Sequence, residues 1–597
     1  MDEALGRDGD GIGAADALAR LGAEARRHVV ARRAELFVAL LLAAMAGNLL
    51  SAIGRKSITN DEVVHIPAGY YHLVSGDFRL NNEHPPLVKM WAALPLLLIQ
   101  PEEPPPPRTS DEDFMERTWG FHSRFWQANR ARFEAVSYWP RVMMAPLALA
   151  LGWLIFVSAR RLFGARAGVL ATALYTLEPT FLAHARVVHT DVAAALVYLL
   201  FFYTLYRYAE TPTLRRALTF GLSCALALLT KFSMLVLLPV LAAGALARLL
   251  AARRRAGERR RTLLHAGAVA LVVLLSVNAA YYFRRPALEE PDVRWVAAKS
   301  APVFREVMGG LRALSAVVPT YFLFGFYNVA VHNHYGHSTS LLGRGNDLGW
   351  WYYFPVAFAL KTTLPFLLLS AAALPWALWR ALARRDRRFL LLLLPLAVYA
   401  AISLTSHINI GVRHFLPAYP FLFIACGALL ERLLQTAGRW RVPALALVVV
   451  VLGWASFEAA RAYPHYTSYM NQLAAGRPHY WYLSDSNVEW GDDVAALADY
   501  LKARGETRGR AAISGGWATL HLYGVEHVSL IHAPGQVLPE TRYVALGASY
   551  LNGSVVPGGE PGSGRESDEA RRDYFAPYRE RRPEAVFGNS IYLYRER

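Results

Sequence analysis

Long apolar runs, separated by short polar or basic segments, fill most of the chain. They recur from about Leu36 to about Ala460 and have roughly the 17–25 residues that a helix needs to cross a bilayer. They predict about eleven membrane-spanning helices, over 36–53, 140–158, 168–183, 190–208, 216–231, 233–250, 263–281, 351–378, 389–405, 415–431 and 443–460. We therefore expect a polytopic α-helical membrane protein, with an N-terminal tail over 1–35 and a transmembrane domain over 36–460.

The pattern changes after residue 460, where the sequence becomes polar and rich in glycine. Strand-like runs follow at "RAAISG" (510–515), "RYVALGA" (542–548) and "SIYLYR" (590–595). They predict a small C-terminal α/β domain over 461–597, with "VPGGEPGSGRESDEARR" (556–572) as a flexible insertion within it.

Composition supports the membrane assignment and explains the charge. The 597 residues are 54% hydrophobic, with a mean hydropathy of +0.22, which excludes an ordinary soluble enzyme. The net charge of +17 comes largely from arginine clusters that fall in alternate short loops, at 26–33, 160–166, 207–216, 253–261, 380–388 and 432–441. The positive-inside rule accounts for this distribution, and we expect no nucleic-acid partner.

The same rule predicts a cytoplasmic N-terminus. The segments 54–139, 282–350 and 461–597 are then extracytoplasmic, and the first helix is an uncleaved signal anchor. The arginine- and alanine-rich composition is typical of a GC-rich bacterial genome, so we expect the bacterial inner membrane, with the active site facing the periplasm. Cys224 and Cys426 both lie in apolar runs, which argues against a disulfide or a thiolate metal site.

Ionisable side chains are concentrated just after the first apolar run, in "NDEVVHIPAGYYHLVSGDFRLNNEHPPLVK" (60–89). Carboxylates outside a membrane span are often simply solvated. Here, however, a helix would bring Asp61 and His65 to one face, and His84 and Lys89 follow as the chain returns to the membrane. Acids, imidazoles and a cation at an interface suit a reaction on a substrate with a lipid tail and a phosphate head.

This first outer loop resembles that of the membrane-embedded GT-C glycosyltransferases. The nearest branch is that of the protein O-mannosyltransferases and aminoarabinose transferases, which use polyprenyl-phosphate-linked sugars. "HPPLVK" is similar to the "HPPLGK" signature of the mannosyltransferases, with Val88 in place of glycine. Three further stretches resemble blocks of bacterial members: "LGWWYYFPVAFALKTTLPFLLL" (348–369), "SHINIGVRHFLPAYPFL" (406–422) and "SDSNVEWGDDVAALADYL" (484–501).

The resemblance implies a GT-C fold and a catalytic base at Asp61, supported by Glu62, His65 and His84. Family members often place a second acid in the next outer loop, where "HARVVHTD" holds His189 and Asp191. Asp191 could equally cap the following helix. Some relatives use a divalent metal, for which Asp61, His65 and Asp191 are candidate ligands; no cofactor is certain.

A phosphate leaving group needs cations that stabilise its growing charge. Lys89 is the leading candidate, and the other candidates for donor binding are Arg141, Arg186, His189, Lys361, Arg413 and His414. Lys361 lies inside an apolar run, where a lysine is usually functional. Arg413 could instead reach toward the interface without binding substrate.

Two other motifs have open interpretations. "HNHYGH" (332–337) is too irregular for a zinc motif and fits substrate contact or an ordinary aromatic loop better. The acidic "DSNVEWGDD" (485–493) could bind calcium, and its Trp490 could stack on a sugar.

The sequence thus predicts an enzyme that transfers a sugar from a polyprenyl-phosphate donor to a protein, glycan or lipid acceptor at the outer surface of the bilayer. Asp61 would act as base in an inverting reaction. A flippase for a polyprenyl-linked glycan and a non-catalytic glycan-binding scaffold are the alternatives. A flippase should show two pseudo-symmetric halves with broken helices at the membrane midplane, which the sequence lacks.

Overall fold

The computed structural model describes residues 10–104, 120–251, 255–436, 438–515, 519–530, 540–555 and 572–596, with the backbone alone for residues 10–31. Residues 556–571 of the predicted insertion (556–572) and part of the first outer loop lie outside these residues. The helices of the N-terminal three quarters are Asp10–Ile53, Asn60–Ser75, Leu87–Ala93, Leu96–Ile99, Phe121–Ala128, Phe133–Val142, Ala145–Phe163, Ala165–Thr176, Pro179–His184, Asp191–Glu210, Leu214–Thr230, Leu237–Ala251, Ala256–Ala280, Glu290–Lys299, Phe304–Ser315, Thr320–Tyr335, Tyr353–Lys361, Leu364–Leu382, Arg387–Leu404, Tyr419–Leu434 and Arg441–Ala462.

Within the described residues, nine helical segments are long and apolar enough to cross a membrane. The predicted class, a polytopic helical membrane protein, is confirmed, whereas the predicted count of eleven spans is not. The predicted span 168–183 is interrupted at Glu178, because the proline that follows disfavours helical backbone there. The predicted span 351–378 is likewise two helices, which meet at Thr362 and Thr363.

The C-terminal region contains a five-stranded mixed sheet, and the predicted strands are confirmed. Its strands are β3 (Arg508–Ala512), β4 (Glu526–Ser529), β5 (Tyr543–Gly547), β6 (Ala585–Phe587) and β7 (Ile591–Arg595), in the order β4-β3-β5-β7-β6. β3 is parallel to β4 and β5, and β7 is antiparallel to β5 and β6. The helix Val494–Lys502 packs its apolar side on this sheet, and short helices lie at His479–Tyr482, Ala548–Leu551 and Ala576–Arg579. A separate hairpin, β1 (Thr339–Leu341) with β2 (Arg344–Asn346), belongs to the second outer loop.

The helix Asn60–Ser75 positions the first outer loop. Thr59 and Glu62 form a capping box: the Thr59 hydroxyl accepts from the Glu62 amide at 3.3 Å, and the Glu62 carboxylate accepts from the Thr59 amide at 2.7 Å. Gly69 lets the helix Leu87–Ala93 cross closely, since a Cβ at this position would lie 2.2 Å from the Lys89 carbonyl oxygen. These local features fix Asp61 in the first turn of its helix.

Candidate active site

A cavity of about 630 Å³ lies where the outer loops meet the segment that follows the last membrane helix. Six residues predicted from the sequence line it: Asp61, His65, His84, His189, Arg413 and His414. They come from four separate stretches of the chain, and the fold brings them to one place.

Asp61 is the most exposed acid of the central cluster. Its side chain keeps 21% of its surface accessible, and its Oδ2 lies 2.7 Å from Arg413 Nη1 and 3.0 Å from His189 Nε2. Burial alone would raise the pKa of Asp61, but the Arg413 guanidinium and the His189 ring hold it well below its usual value. Asp61 is therefore an ionised, accessible carboxylate at neutral pH.

His189 connects Asp61 to a second, fully buried acid. Its Nδ1 lies 2.6 Å from Asp191 Oδ2, and the other Asp191 oxygen accepts from Lys231 Nζ at 2.5 Å. Thr190, not Asp191, is the N-cap of the following helix, so the capping alternative does not describe this side chain. Lys231 also lines the cavity, which places two cations, Arg413 and Lys231, beside the two carboxylates.

Three imidazoles meet next to Asp61. The His65 and His189 rings stack with centroids 5.1 Å apart, and His84 meets both edge-on at 5.6 and 5.3 Å. One ligand atom from each ring lies within 4.8 Å of the other two. His65 Nδ1 donates to the Val188 carbonyl at 2.9 Å and burial lowers the pKa of His65 to about 3, so the ring is neutral with Nε2 as its lone-pair nitrogen.

This set of donors fits a divalent metal ion in its chemistry, because each imidazole can offer a nitrogen and two rings are oriented through their other nitrogen. The predicted ligand His65 is part of this group; Asp191 instead lies behind His189. Arg413 Nη1 donates to His189 Nε2 at 2.8 Å, so a metal on that nitrogen would require the guanidinium to move.

Arg413 is held against an aromatic ring from the C-terminal region. Its guanidinium carbon lies 4.4 Å from the centroid of Trp490, a geometry that favours a cation–π interaction. Trp490 lines the cavity with Asp485 and Ser514. The segment after the last membrane helix therefore completes the site, and its tryptophan contacts a cation.

Glu62 and Arg141 lie behind the cavity wall. The Glu62 carboxylate accepts from the Thr59 and Val188 amides, at 2.7 and 2.9 Å, and Arg141 Nε lies 3.4 Å from it. Arg141 also donates to the carbonyls of Ile53 and Lys56, at 3.2 and 2.9 Å. These contacts join the first outer loop to the loop that contains Val188. The substrate contacts predicted for Glu62 and Arg141 stay predictions.

Lys89 is fully buried and holds the turn that carries His84. Its ammonium donates to the Asn81 carbonyl, to Asn81 Oδ1 at 3.0 Å and to the His84 carbonyl at 3.0 Å. Lys89 does not line the cavity, and its predicted phosphate contact stays a prediction. In this structure Arg413 lies beside Asp61, and Lys231 lies in the same cavity, paired with Asp191.

Arg186 and Lys361 connect the membrane domain to the segment after residue 461. Arg186 donates to Asp492 at 2.5 Å and to the Thr467 hydroxyl at 2.9 Å. Lys361 Nζ donates to the carbonyls of Thr467 and Asn487, both at 2.6 Å. The predicted donor contacts of these two buried cations likewise stay predictions.

The acids of "DSNVEWGDD" bind protein groups. Glu489 accepts from the Ser514 and Ser549 amides at 2.6 and 2.7 Å. Asp493 pairs with Lys56 and accepts from the Ser590 hydroxyl at 2.7 Å. With the Asp492–Arg186 pair, these contacts form an acidic clamp (Glu489, Asp492, Asp493). Glu489 binds groups within the C-terminal region, whereas Asp492 and Asp493 also bind Arg186 and Lys56 of the membrane domain.

We expect Gly547→Ala to loosen this clamp. A Cβ at Gly547 would lie 1.9 Å from Glu489 Oε1, so the carboxylate would have to leave the Ser514 and Ser549 amides. The free energy of unfolding should fall by ~1–3 kcal/mol, measured as a lower midpoint of thermal unfolding in detergent.

The matched control is Gly310→Ala on an outer-loop helix, where an added Cβ meets nothing within 4 Å. Equal unfolding midpoints for the two variants would contradict the clamp.

Several cavity residues were missed by sequence reasoning. Lys231, which ends an apolar stretch, reads as an interface anchor, and Glu83 is a further acid of the first outer loop to which the sequence assigns no role; both line the cavity. His332, His337 and Asp485 line it as well. The "HNHYGH" motif is a local signal that could identify the two histidines as cavity residues. The role of Lys231 depends instead on its contact with Asp191, 40 residues earlier in the sequence.

Residues 134–281, about a quarter of the chain, match the family model described as dolichyl-phosphate-mannose-protein mannosyltransferase. The matched segment includes His189, Asp191 and Lys231 but not Asp61 or Arg413. The resemblance to the mannosyltransferases is thereby confirmed. No curated protein matches the chain.

Solved structures of two kinds are similar to the chain. ArnT from Cupriavidus metallidurans bound to undecaprenyl phosphate is 15% identical, with a TM-score of 0.46, over 93% of this chain and 97% of that chain. An oligosaccharyltransferase from Archaeoglobus fulgidus in complex with zinc and sulfate is 13% identical, with a TM-score of 0.46, over 86% of this chain and 69% of that chain.

Proposed function

We propose that this multi-pass membrane protein transfers a sugar from a polyprenyl-phosphate donor to an acceptor on the periplasmic side of a bacterial inner membrane. The observation that carries the proposal is Asp61, an ionised carboxylate open to the cavity, with Arg413 beside it and Lys231, paired with Asp191, in the same cavity. The match of residues 134–281 to the mannosyltransferase family supports the same class of reaction.

In the proposed reaction Asp61 takes the proton of the acceptor hydroxyl as its oxygen attacks the anomeric carbon. The bond from that carbon to the phosphate oxygen breaks on the opposite face, which inverts the configuration, and polyprenyl phosphate leaves with the electron pair. Arg413 and Lys231 stabilise the charge that grows on the phosphate. A divalent metal, if bound, would be held by His65, His84 and His189 and would add Lewis-acid stabilisation of the same charge.

Arg413 links the two halves of this reaction. Its guanidinium pairs with Asp61 at 2.7 Å, so a donor phosphate would compete with Asp61 for the same cation. Once the phosphate takes Arg413, the pKa of Asp61 rises and the carboxylate becomes a stronger base. Donor binding thus prepares the base for the acceptor.

The test is donor consumption by the full-length protein in proteoliposomes. Radiolabelled undecaprenyl-phosphate hexoses and pentoses serve as donors, a membrane extract supplies acceptors, and a nucleotide sugar is the control donor without a polyprenyl chain. We expect label to leave at least one lipid donor, with release of undecaprenyl phosphate, and no use of the nucleotide sugar. Failure with every lipid donor would refute the proposal.

A further inference from the structure

A second group of polar side chains lines the cavity beside the Asp61 cluster. It consists of His332 and Asn333 at the end of the helix Thr320–Tyr335, His337 in the following loop, and Asp485 from the segment after the last membrane helix. The charges of Asp61 and Arg413 both act on His337 and Asp485, so this group is near the proposed base.

His332 and His337 form a pair of neutral rings. His332 Nε2 and His337 Nδ1 lie 3.0 Å apart in a hydrogen bond, and burial lowers the pKa of both rings to about 4. Each ring therefore keeps one nitrogen outside the pair, and the two together can offer a donor and an acceptor to a ligand.

Asp485 differs from the three acids of the acidic clamp. Its Oδ1 accepts from the Ser486 amide at 2.5 Å, but among the described residues it has no cation within 4.0 Å. Glu489, Asp492 and Asp493 are all bound to protein groups, whereas Asp485 faces the cavity. A carboxylate oxygen is thus left for a ligand.

The backbone of Asp485 has an unfavourable conformation. Its φ is +53°, in the left-handed region, which is unfavourable for a non-glycine residue and is concentrated at functional sites. Its amide donates to Ser549 Oγ at 3.2 Å, which ties this conformation to the C-terminal domain.

The variety of polar groups favours a sugar over an isolated hydroxyl. Asn333 Oδ1 already accepts from Ser406 and His407, which leaves its amide nitrogen as a donor. A carboxylate, two neutral imidazoles and an amide can serve several neighbouring hydroxyls, each of which both donates and accepts. A serine or threonine side chain would bring one hydroxyl and could engage only one or two of these half-buried groups.

We propose that His332, His337 and Asp485 form an acceptor subsite that binds the sugar end of a glycan or glycolipid. The inference rests on the proposed transferase function and names its acceptor class. The subsite holds the acceptor ring so that one of its hydroxyls reaches Asp61, and it accounts for the contribution of the C-terminal segment to the cavity.

The test measures acceptor binding separately from donor binding. Full-length protein in nanodiscs is first saturated with undecaprenyl phosphate. Methyl glucoside, methyl glucosaminide and a short serine/threonine peptide are then compared by saturation-transfer NMR. We expect saturable binding of a sugar and not of the peptide, and at least about tenfold weaker sugar binding in Asp485→Asn and His337→Ala.

Asp485→Asn suits the test because asparagine tolerates the left-handed backbone and removes only the charge. The matched control is Asp499→Asn, an acid on the helix Val494–Lys502 whose side chain is 73% exposed. Undecaprenyl phosphate affinity should be unchanged in all three variants.

Three results would overturn the inference: binding of the peptide but of neither sugar, sugar binding unaffected by both substitutions, or loss of undecaprenyl phosphate binding in Asp485→Asn. The last would place Asp485 in donor binding or in the fold. None of them requires the transferase proposal to fail, because donor consumption by the wild type is measured separately.

Discussion

Replacing Asp61 by Asn should lower the rate of sugar transfer about 10²–10⁴-fold, the usual contribution of a positioned general base. The amide has the shape of the carboxylate and can still accept from Arg413, so the fold should be retained. Undecaprenyl phosphate affinity should hold or rise, since the phosphate no longer competes with a charge for Arg413. Single-turnover transfer in proteoliposomes measures the rate, and native mass spectrometry measures the bound lipid.

Glu62→Gln is the matched control, since Glu62 is the next residue and also an acid. Its two oxygens accept from the amides of Thr59 and Val188, and glutamine can replace only one of them. We expect a loss of stability of about 1–3 kcal/mol, with transfer by the folded fraction largely kept. A wild-type rate of transfer by Asp61→Asn would show that another group takes the proton. Complete loss of transfer by fully folded Glu62→Gln would show that Glu62 is the base and Asp61 the structural residue.

The sequence could predict Asp61 because its signal is local. The acidic pair, the helix pattern and "HPPLVK" lie within 30 residues, and the structure keeps them in one loop. Only the family resemblance separates Asp61 from Glu62 in the sequence, because both are acids in the same first turn. Their difference is burial: Asp61 is open to the cavity, whereas Glu62 is enclosed by amides from two loops.

Long-range contacts explain what the sequence could not provide. The sequence favours Lys89 as the phosphate contact and Lys231 as an interface anchor, yet Lys89 holds the turn at Asn81 while Lys231 pairs with Asp191 in the cavity lining. The interrupted span near Glu178 has a local cause, its proline, and could have been predicted. The pairing of Arg413 with Asp61, 352 residues apart, depends on how the helices pack and could not.

Arg413→Ala should weaken donor binding and raise the pH below which Asp61 is protonated and cannot act as a base. Loss of a charge-assisted hydrogen bond to phosphate should weaken undecaprenyl phosphate binding about 10–100-fold. The pKa of Asp61 should also rise, because Arg413 is the main group that opposes the effect of burial on this carboxyl. Arg413→Lys keeps the charge and should fall between the wild type and the alanine variant.

The pH profile separates the two effects. Asp61 accepts a proton only when ionised, so a raised pKa makes the variant lose activity as the pH falls through that higher value, while the wild type stays active there. Above the raised pKa the base is ionised in both proteins, and the remaining rate difference measures phosphate stabilisation alone. The pH dependence of kcat/KM for the donor reports the free enzyme, in which Arg413 still pairs with Asp61, and gives the pKa shift. Single-turnover rates at saturating donor above the raised pKa give the phosphate stabilisation. The control is Arg508→Ala, an exposed arginine of β3 that pairs with Glu526.

Suppose that Arg413→Ala binds the donor weakly but loses activity at the same low pH as the wild type. Arg413 would then hold the phosphate without changing the pKa of Asp61. If activity is lost at a higher pH but the affinity for undecaprenyl phosphate is unchanged, the phosphate contact would belong to Lys231 instead. Only weaker lipid binding together with loss of activity at a higher pH supports an Arg413 guanidinium that moves from Asp61 to the donor phosphate. The 2.7 Å pair and the Trp490 ring 4.4 Å from the guanidinium carbon favour that outcome, because they hold one cation where both partners can reach it.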